Sequence, residues 1–277
     1  MFGASKLAKL VARVTRVLRE ARFENPDIGP LNDAMEVDYF VISIPKCGTT
    51  AIQRGIEGVD RKVIHAHTNA SLYAAFANGD VLMNNGVGLE AILKARLAVN
   101  SKPIQMFFGY REPISWYLSV AGHFGLEMDE SLERDIIDRA ATYPWNNYGI
   151  DDVNQIYRQG TGVNVLTCEF NHKAGIGLFQ QKGVNLLTYR LDRIAEVQTY
   201  IAENIHGAFK LNQERVNADP NYNAIKKALS VAPRALAELY SNRWFRHFYA
   251  PAERDALSRL YLRGDRNNRK SACQELG

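Results

Sequence analysis

Two short segments of this 277-residue chain combine the residue types that hold a polyanion. The first, Ile44–Thr50 (IPKCGTT), follows an apolar, β-rich run and precedes a helical pattern. A helix start leaves backbone N–H groups unpaired and carries a partial positive charge, so a bound anion satisfies both. Gly48 lets the backbone approach closely. Thr49 and Thr50 can cap the helix or offer hydroxyls, Ala51 continues the first turn, and Lys46 adds a full charge at the entrance. The second segment, Arg111–Ser119 (REPISWYLS), puts an arginine at a strand–helix junction, with Pro113 where a first turn tolerates proline. Ser119 lies eight residues beyond Arg111. A strand-end guanidinium and a helix hydroxyl can therefore converge on one phosphate-like group, which the planar arginine fork suits.

A third constellation is His65-Ala66-His67, at the end of a second apolar run. Strand alternation puts both imidazoles on one side of an extended segment, and histidine is the commonest general base near neutral pH. His123, at the end of the Arg111 helix, is a weaker alternative. Cys47 stands where a helix start could lower a thiol pKa, but it is read as a backbone contributor. The ATPase phosphate loop requires glycine four positions ahead of Gly-Lys-Ser/Thr, and here the lysine precedes the glycine. Arg54 comes one residue too late for a cysteine–five–arginine phosphatase loop.

The elements that must position these groups alternate. Strands are predicted at Tyr39–Ile44, Lys62–His65, Ile104–Tyr110, Val163–Thr167 and Val184–Tyr189, all short and apolar, as suits parallel strands covered on both faces. Helices are predicted near Thr49–Glu57, Ser71–Ala77, Leu89–Val99, Ile114–Phe124, Leu132–Ala141, Ile194–Asn204, Asn223–Tyr240 and Ala252–Leu262. This pattern reads as α/β: a three-layer, doubly wound, mainly parallel sheet of about five strands with an α-rich C-terminal portion.

Ahead of this domain (31–277), residues 1–30 read as a basic amphipathic helix and linker. Leu7, Leu10, Val14, Val17 and Ala21 share one helical face, and Asn25–Pro30 breaks the pattern. Its bland reading is a helix packed on the domain or on a second subunit; its sharper one is peripheral contact with anionic lipid. Residues 1–22 carry six cations against Glu20, a local excess larger than the whole chain's net charge of +4, so the rest of the chain is slightly acidic. That distribution excludes the basic stripe expected of a nucleic-acid binder. Cys47, Cys168 and Cys273 are odd in number and widely spaced, with neither a disulfide framework nor a zinc signature. No apolar run has the length of a membrane span and no signal-peptide pattern is present, so a cytoplasmic location is expected, with contact at the inner membrane face under the sharper reading.

Pro45–Thr50 resembles the 5′-phosphosulfate motif of the sulfotransferase superfamily, usually Pro-Lys-Ser/Thr-Gly-Thr-Thr. Arg111–Ser119 is similar to the same family's 3′-phosphate motif: Arg, commonly then Asp-Pro, with Ser eight residues beyond the Arg. Glu112 replaces the usual Asp. Thr161–Val165, the turn around Asn171–Gly177 and Gly183–Asp192 look like a bacterial branch associated with capsular polysaccharide synthesis, and Leu211–Asn217 and Pro251–Leu262 resemble a sulfotransferase C-terminal portion. The resemblance implies a P-loop-like sulfotransferase fold and 3′-phosphoadenosine 5′-phosphosulfate as the donor substrate. It implies no metal, and a hydroxyl acceptor that is a capsular or extracellular polysaccharide or its precursor. It makes His67 the first and His65 the second choice of base, has Lys46 stabilise transferred charge, and gives Arg190 a donor-nucleotide contact. For the acceptor, Asn69–Asn85, Tyr143–Tyr148 and Asn242–Tyr249 supply aromatic and amide groups suited to a sugar, although such aromatics equally build local cores. Two other readings stand beside this one: a P-loop-like phosphoryl-transfer enzyme, and a membrane-peripheral binding protein of the same fold without turnover.

Overall fold

Side-chain alternation along parallel strands buried on both faces divides the core into two. In β1 (Tyr39–Ile42), Phe40 and Ile42 join one apolar cluster and Val41 the other. Met106 and Phe108 of β3 (Ile104–Tyr110) part in the same way from Phe107. The computed structural model describes residues 36–67, 88–99, 102–123, 149–181, 183–211, 231 and 233–262. The N-terminal helix, the helices expected at Ser71–Ala77 and Leu132–Ala141, the loops Asn69–Asn85 and Tyr143–Tyr148, and Cys273 lie outside the described residues.

The sheet has six strands in the order β2-β1-β3-β6-β5-β4. β2 (Val63–Ala66), β1, β3 and β6 (Val184–Arg190) run parallel, while β5 (Ile176–Gln181) and β4 (Phe170–Asn171) are antiparallel additions. After β1 comes α1 (Thr49–Glu57), whose Ile52 and Ile56 pack on the face that Val41 joins. α2 (Leu89–Val99), α3 (Pro113–His123) and α4 (Ile150–Thr161) pack on the opposite face through residues such as Ile92, Ile114 and Tyr157. α5 (Ile194–Asn204) returns to the α1 face through Val197 and Ile201. α6 (Pro233–Tyr240), α7 (Arg243–Phe248) and α8 (Pro251–Tyr261) join the α2 side. The architecture is thus α/β, with a mixed, mostly parallel sheet covered on both faces.

α4 and β4 were not among the expected elements, and three further regions differ from expectation. Val163–Thr167 is not a strand: Val165–Thr167 is a 3₁₀ turn, because the Asn164 side chain accepts from the Leu166 N–H and caps it. β5 was not anticipated; its burial follows no clean alternation, and it enters the sheet through the tight turn ending at Gly175 (φ 68°). Asn242–Tyr249 is not an open aromatic surface. Asn242 caps α7 through the Trp244 N–H, and Trp244, Phe245 and Phe248 are fully buried. There they stack on Phe108, Tyr110 and Tyr240.

The strand order matters for the site. The connection from β1 runs outward to β2 and that from β2 crosses back to β3, so the sheet reverses direction between β1 and β3. Such a switch point opens a crevice at the carboxyl ends of the strands, the usual ligand position in open α/β sheets. Here the paired register of β1 and β3 ends at Val41 and Phe107. The Tyr157 hydroxyl closes the bottom of the gap, lying 2.8 Å from the Ile42 carbonyl oxygen and 3.0 Å from that of Phe107. Replacing Tyr157 by Phe leaves both buried acceptors without that donor, so urea titration of Tyr157→Phe is expected to give a stability loss of about 1–3 kcal/mol; an unchanged midpoint would show that the hydroxyl does not brace the strands.

Candidate functional site

Ile44–Gly48 leaves β1 at this crevice. Lys46 (φ 64°) and Gly48 (φ 78°) are left-handed, with Cys47 between them on the ordinary side. Alternation of this kind curls successive N–H groups toward one concavity, and at Lys46 it carries the strain of a non-glycine residue with positive φ. A Cβ on Gly48 would stand 2.7 Å from the Leu191 side chain, so glycine is required there on two counts.

The loop's acceptors face the scaffold. The Lys46 carbonyl accepts from Arg111 Nη1 at 3.1 Å and the Pro45 carbonyl from the Trp116 indole at 2.7 Å. Its donors are left over: the backbone N–H groups of Cys47, Gly48, Thr49 and Thr50 have no backbone partner among the described residues. α1 also starts with no side-chain cap and no acid in its first turn. α3 starts beside it on different terms. Glu112 accepts from the Ile114 and Ser115 N–H groups at 2.8 and 2.7 Å and from the Tyr240 hydroxyl at 2.7 Å. An internal carboxylate thus occupies the start of α3, whereas no described side chain caps the start of α1, the kind of position that takes an external anion. Glu112 therefore does two things at once, capping α3 and accepting from the Tyr240 hydroxyl.

Lys46 and Arg111 are both half-buried, and they are close enough that burial first, and the Arg111 charge second, pull the Lys46 pKa down. Thr49 is buried and Thr50 exposed; Ala51 packs at the margin of the α1-side core. Ser119 is half-buried, one helical turn beyond Trp116 and so on the stripe that touches the loop. Cys47 is fully buried, and burial pushes its thiol up to about 12, so it stays protonated at neutral pH and cannot serve as a nucleophile.

The two histidines flank the same rim, 4.8 Å apart and edge to face. His67 Nδ1 is 2.7 Å from the Ser43 carbonyl oxygen. A carbonyl only accepts, so Nδ1 carries the proton and Nε2 presents a lone pair, as a general base requires. Burial lowers the His67 pKa; the Ser43 carbonyl opposes this, and the Lys46 charge adds to it. His65 is held differently. Gln53 Nε2 donates to Glu57 at 2.8 Å, which turns Gln53 Oε1 toward His65 Nδ1 at 2.6 Å. Its Nε2 is buried with no partner among the described residues, and burial together with His67 lowers its pKa from 6.5 to about 4. His67 is therefore better placed for proton transfer, and His65 is a neutral ring against which it packs.

Arg190 is committed to the framework instead of the crevice. It is 2% exposed, paired with Asp192 and Glu253 (2.7 Å to the latter), and lies over the Tyr249 ring at 4.1 Å. Its side chain is therefore spent on joining β6 to α8, which leaves no donor contact to read from it. The His123 side chain lies outside the described detail. Sequence reasoning missed Ser43, a fully buried residue whose N–H donates to the Ala66 carbonyl and whose hydroxyl donates to the Gly109 carbonyl at 2.5 Å. One polar residue in the run YFVISI was the available signal. It also missed Gly109, where a Cβ would come within 2.8 Å of the Cys47 carbonyl and 2.7 Å of the Tyr189 ring. No protein-family profile matches this chain, and neither a curated protein nor a solved structure matches it.

The histidine geometry makes a prediction about acid. In the unfolded chain His65 binds a proton near 6.5, whereas in the folded protein it resists protonation down to about 4. Between those values the unfolded state holds more protons, so stability falls as pH is lowered through that window. Thermal melts from pH 7 to pH 4 are expected to show this decline and a shallower one for His65→Gln; identical slopes would remove His65 as its source.

Proposed function

We propose that this protein is a sulfotransferase with a P-loop-like fold, taking a sulfuryl group from 3′-phosphoadenosine 5′-phosphosulfate and giving it to a hydroxyl acceptor, a carbohydrate by preference. One observation carries the reading. Arg111 donates to the Lys46 carbonyl, and the Lys46 charge is near enough to act on His67, in front of a helix start that has neither a side-chain cap nor an acid. Two cations held together with four unpaired amides suit a polyanion, and a neutral imidazole beside them suits an acceptor hydroxyl.

In this reading the amides of Cys47–Thr50 and the Lys46 ammonium hold the phosphosulfate. Arg111, with Ser119, holds the 3′-phosphate through paired N–H bonds. His67 Nε2 takes the acceptor proton as the acceptor oxygen bonds to sulfur. The bond from sulfur to the bridging phosphate oxygen breaks, and adenosine 3′,5′-bisphosphate leaves. Catalysis rests on positioning and on charge stabilisation of the sulfuryl oxygens and departing phosphate. No metal is part of this scheme. The basic segment at residues 1–30 gives the same protein a means of staying at the inner membrane face, where a glycan precursor would be met.

Calorimetry with adenosine 3′,5′-bisphosphate tests the donor half. Wild type should bind it, and Arg111→Ala should bind about 100-fold more weakly, on the order of 3 kcal/mol for lost charge-assisted bonds. No binding by either protein refutes the reading, and binding of ATP with magnesium but not of the bisphosphate transfers it to phosphoryl chemistry.

The acceptor half is tested separately by transfer of radiolabelled sulfate to glycan acceptors. His67→Ala should lose turnover by about 10²–10⁴-fold, the usual worth of a general base, while keeping bisphosphate binding. Because the His67 pKa lies below the ordinary 6.5, wild-type turnover should hold through neutral pH and fall only on acidification below that value. A plateau reached only above pH 7, or an unaffected His67→Ala enzyme, removes His67 from the mechanism.

A further inference from the structure

The opposite end of the sheet carries a second arrangement that the anion loop does not use. Strand alternation places Tyr39, Gln105, Asn185 and Gln180 on the α1–α5 face, and the register sets them side by side. Tyr39 pairs with Gln105, Gln105 with Asn185, and Asn185 with Gln180. One row therefore crosses four strands, three of its positions being carboxamides. It floors a cavity of about 180 Å³, roofed by Tyr200, Asn204 and Ile205 at the end of α5. The Gln105, Asn185 and Gln180 amides have no hydrogen-bond partner among the described residues. Leu178, 43% exposed, stands at the cavity as an exposed large apolar side chain.

Three properties define what fits. None of the described residues lining the cavity is charged, so among them an ionic ligand would lose hydration without a counter-charge. Each carboxamide offers donors and an acceptor together, and neighbours in one cross-strand row stand about 4.5–5.5 Å apart, a span that reaches hydroxyls on two edges of one sugar ring. α5 also ends here with no basic residue in its last turn. The partial negative charge of its terminal carbonyls thus disfavours anions and favours O–H donors. Tyr39, Tyr200 and Leu178 add apolar faces for ring C–H groups. Along β3 the row lies about 20 Å from Arg111, too far for the two sites to share one ring.

We propose that this row is a binding site for an uncharged carbohydrate, one ring of a neutral glycan at a time, distinct from the anion crevice. The site does not rest on the sulfotransferase reading and stands or falls separately from it. Saturation-transfer NMR on the full chain tests it with maltotriose, cellotriose and chitotriose, and with a sulfated disaccharide as the charged comparison. At least one neutral trisaccharide should bind at about millimolar strength, and Gln105→Ala/Asn185→Ala should weaken this by at least about tenfold, one to two hydrogen bonds' worth. Arg111→Ala should leave it unchanged. If the double variant fails to fold by circular dichroism, Gln180→Lys at the exposed end of the row replaces it, with the same loss expected. Absence of transfer to all three neutral sugars, binding of the sulfated sugar alone, or neutral-sugar binding unmoved by the row substitutions overturns the proposal.

Discussion

Three strand ends meet at one serine. Just past β1, where pairing with β3 has stopped, Ser43 donates its N–H to Ala66 and its hydroxyl to Gly109 and accepts from His67. A sheet that splits at a switch point gains a crevice and loses the hydrogen bonds that kept its strands together. The Ser43 hydroxyl replaces one of those bonds from a side chain. The Tyr157 hydroxyl braces the gap a step lower. Because the Ser43 carbonyl also fixes the His67 tautomer, the element that holds the crevice open decides which imidazole nitrogen faces into it. The loop follows the same logic. Its carbonyls at Pro45 and Lys46 are taken by α3 and Arg111, and the amides of Cys47–Thr50 are what remains for a ligand.

Charge separates functional cations from structural ones. Arg96 and Arg190 are almost fully buried, and each is matched by acids: Asp38 for the first, Asp192 and Glu253 for the second. A buried guanidinium without such partners would carry a desolvation cost that the fold could not absorb. Lys46 and Arg111 sit half-buried beside each other, and burial together with the Arg111 charge lowers the Lys46 pKa. Arg111 holds the loop through the Lys46 carbonyl, and the like charge it brings beside the Lys46 ammonium is a cost of that bracing. An anion bound there would offset that cost, and the 3′-phosphorylated sulfate donor of the proposal carries enough negative charge to do so.

How much of this could be read from the chain depends on the range of the interaction. Thr49–Glu57, Leu89–Val99 and Ile194–Asn204 are legible to the residue, since helix periodicity and breakers are local. Lys46, Gly48 and Arg111 are legible too, because short spacings carry the loop. Glu112 looked like a mild departure from an aspartate, and its link to Tyr240 spans 128 residues. Ser43 and Gly109 are 66 apart in sequence. The capped turn at Val165 overrode a strand-like composition through one asparagine side chain. The same holds for Arg190: composition marks a strand-end cation, but Glu253 must be brought from 63 residues away before it becomes an internal ion pair.

The two ends of a parallel sheet are chemically unlike, and this follows from chain direction alone. Helices begin beyond the carboxyl ends of the strands and finish near their amino ends, so unpaired N–H groups gather at one rim and unpaired carbonyls at the other. The rim with Lys46 and Arg111 adds cations to its donors and becomes suited to phosphate and sulfate. The rim with Gln105 and Asn185 adds carboxamides to its acceptors, with no charge among the described residues of the cavity lining, and becomes suited to hydroxyls. β5 is what turns the second rim into a site: being antiparallel, it ends where β6 begins and so delivers Gln180 beside Asn185. A fully parallel sheet would have ended its row at Asn185. The antiparallel hairpin that sequence patterning failed to anticipate is thus the element that extends the amide row to three carboxamides, and so gives the neutral site its reach.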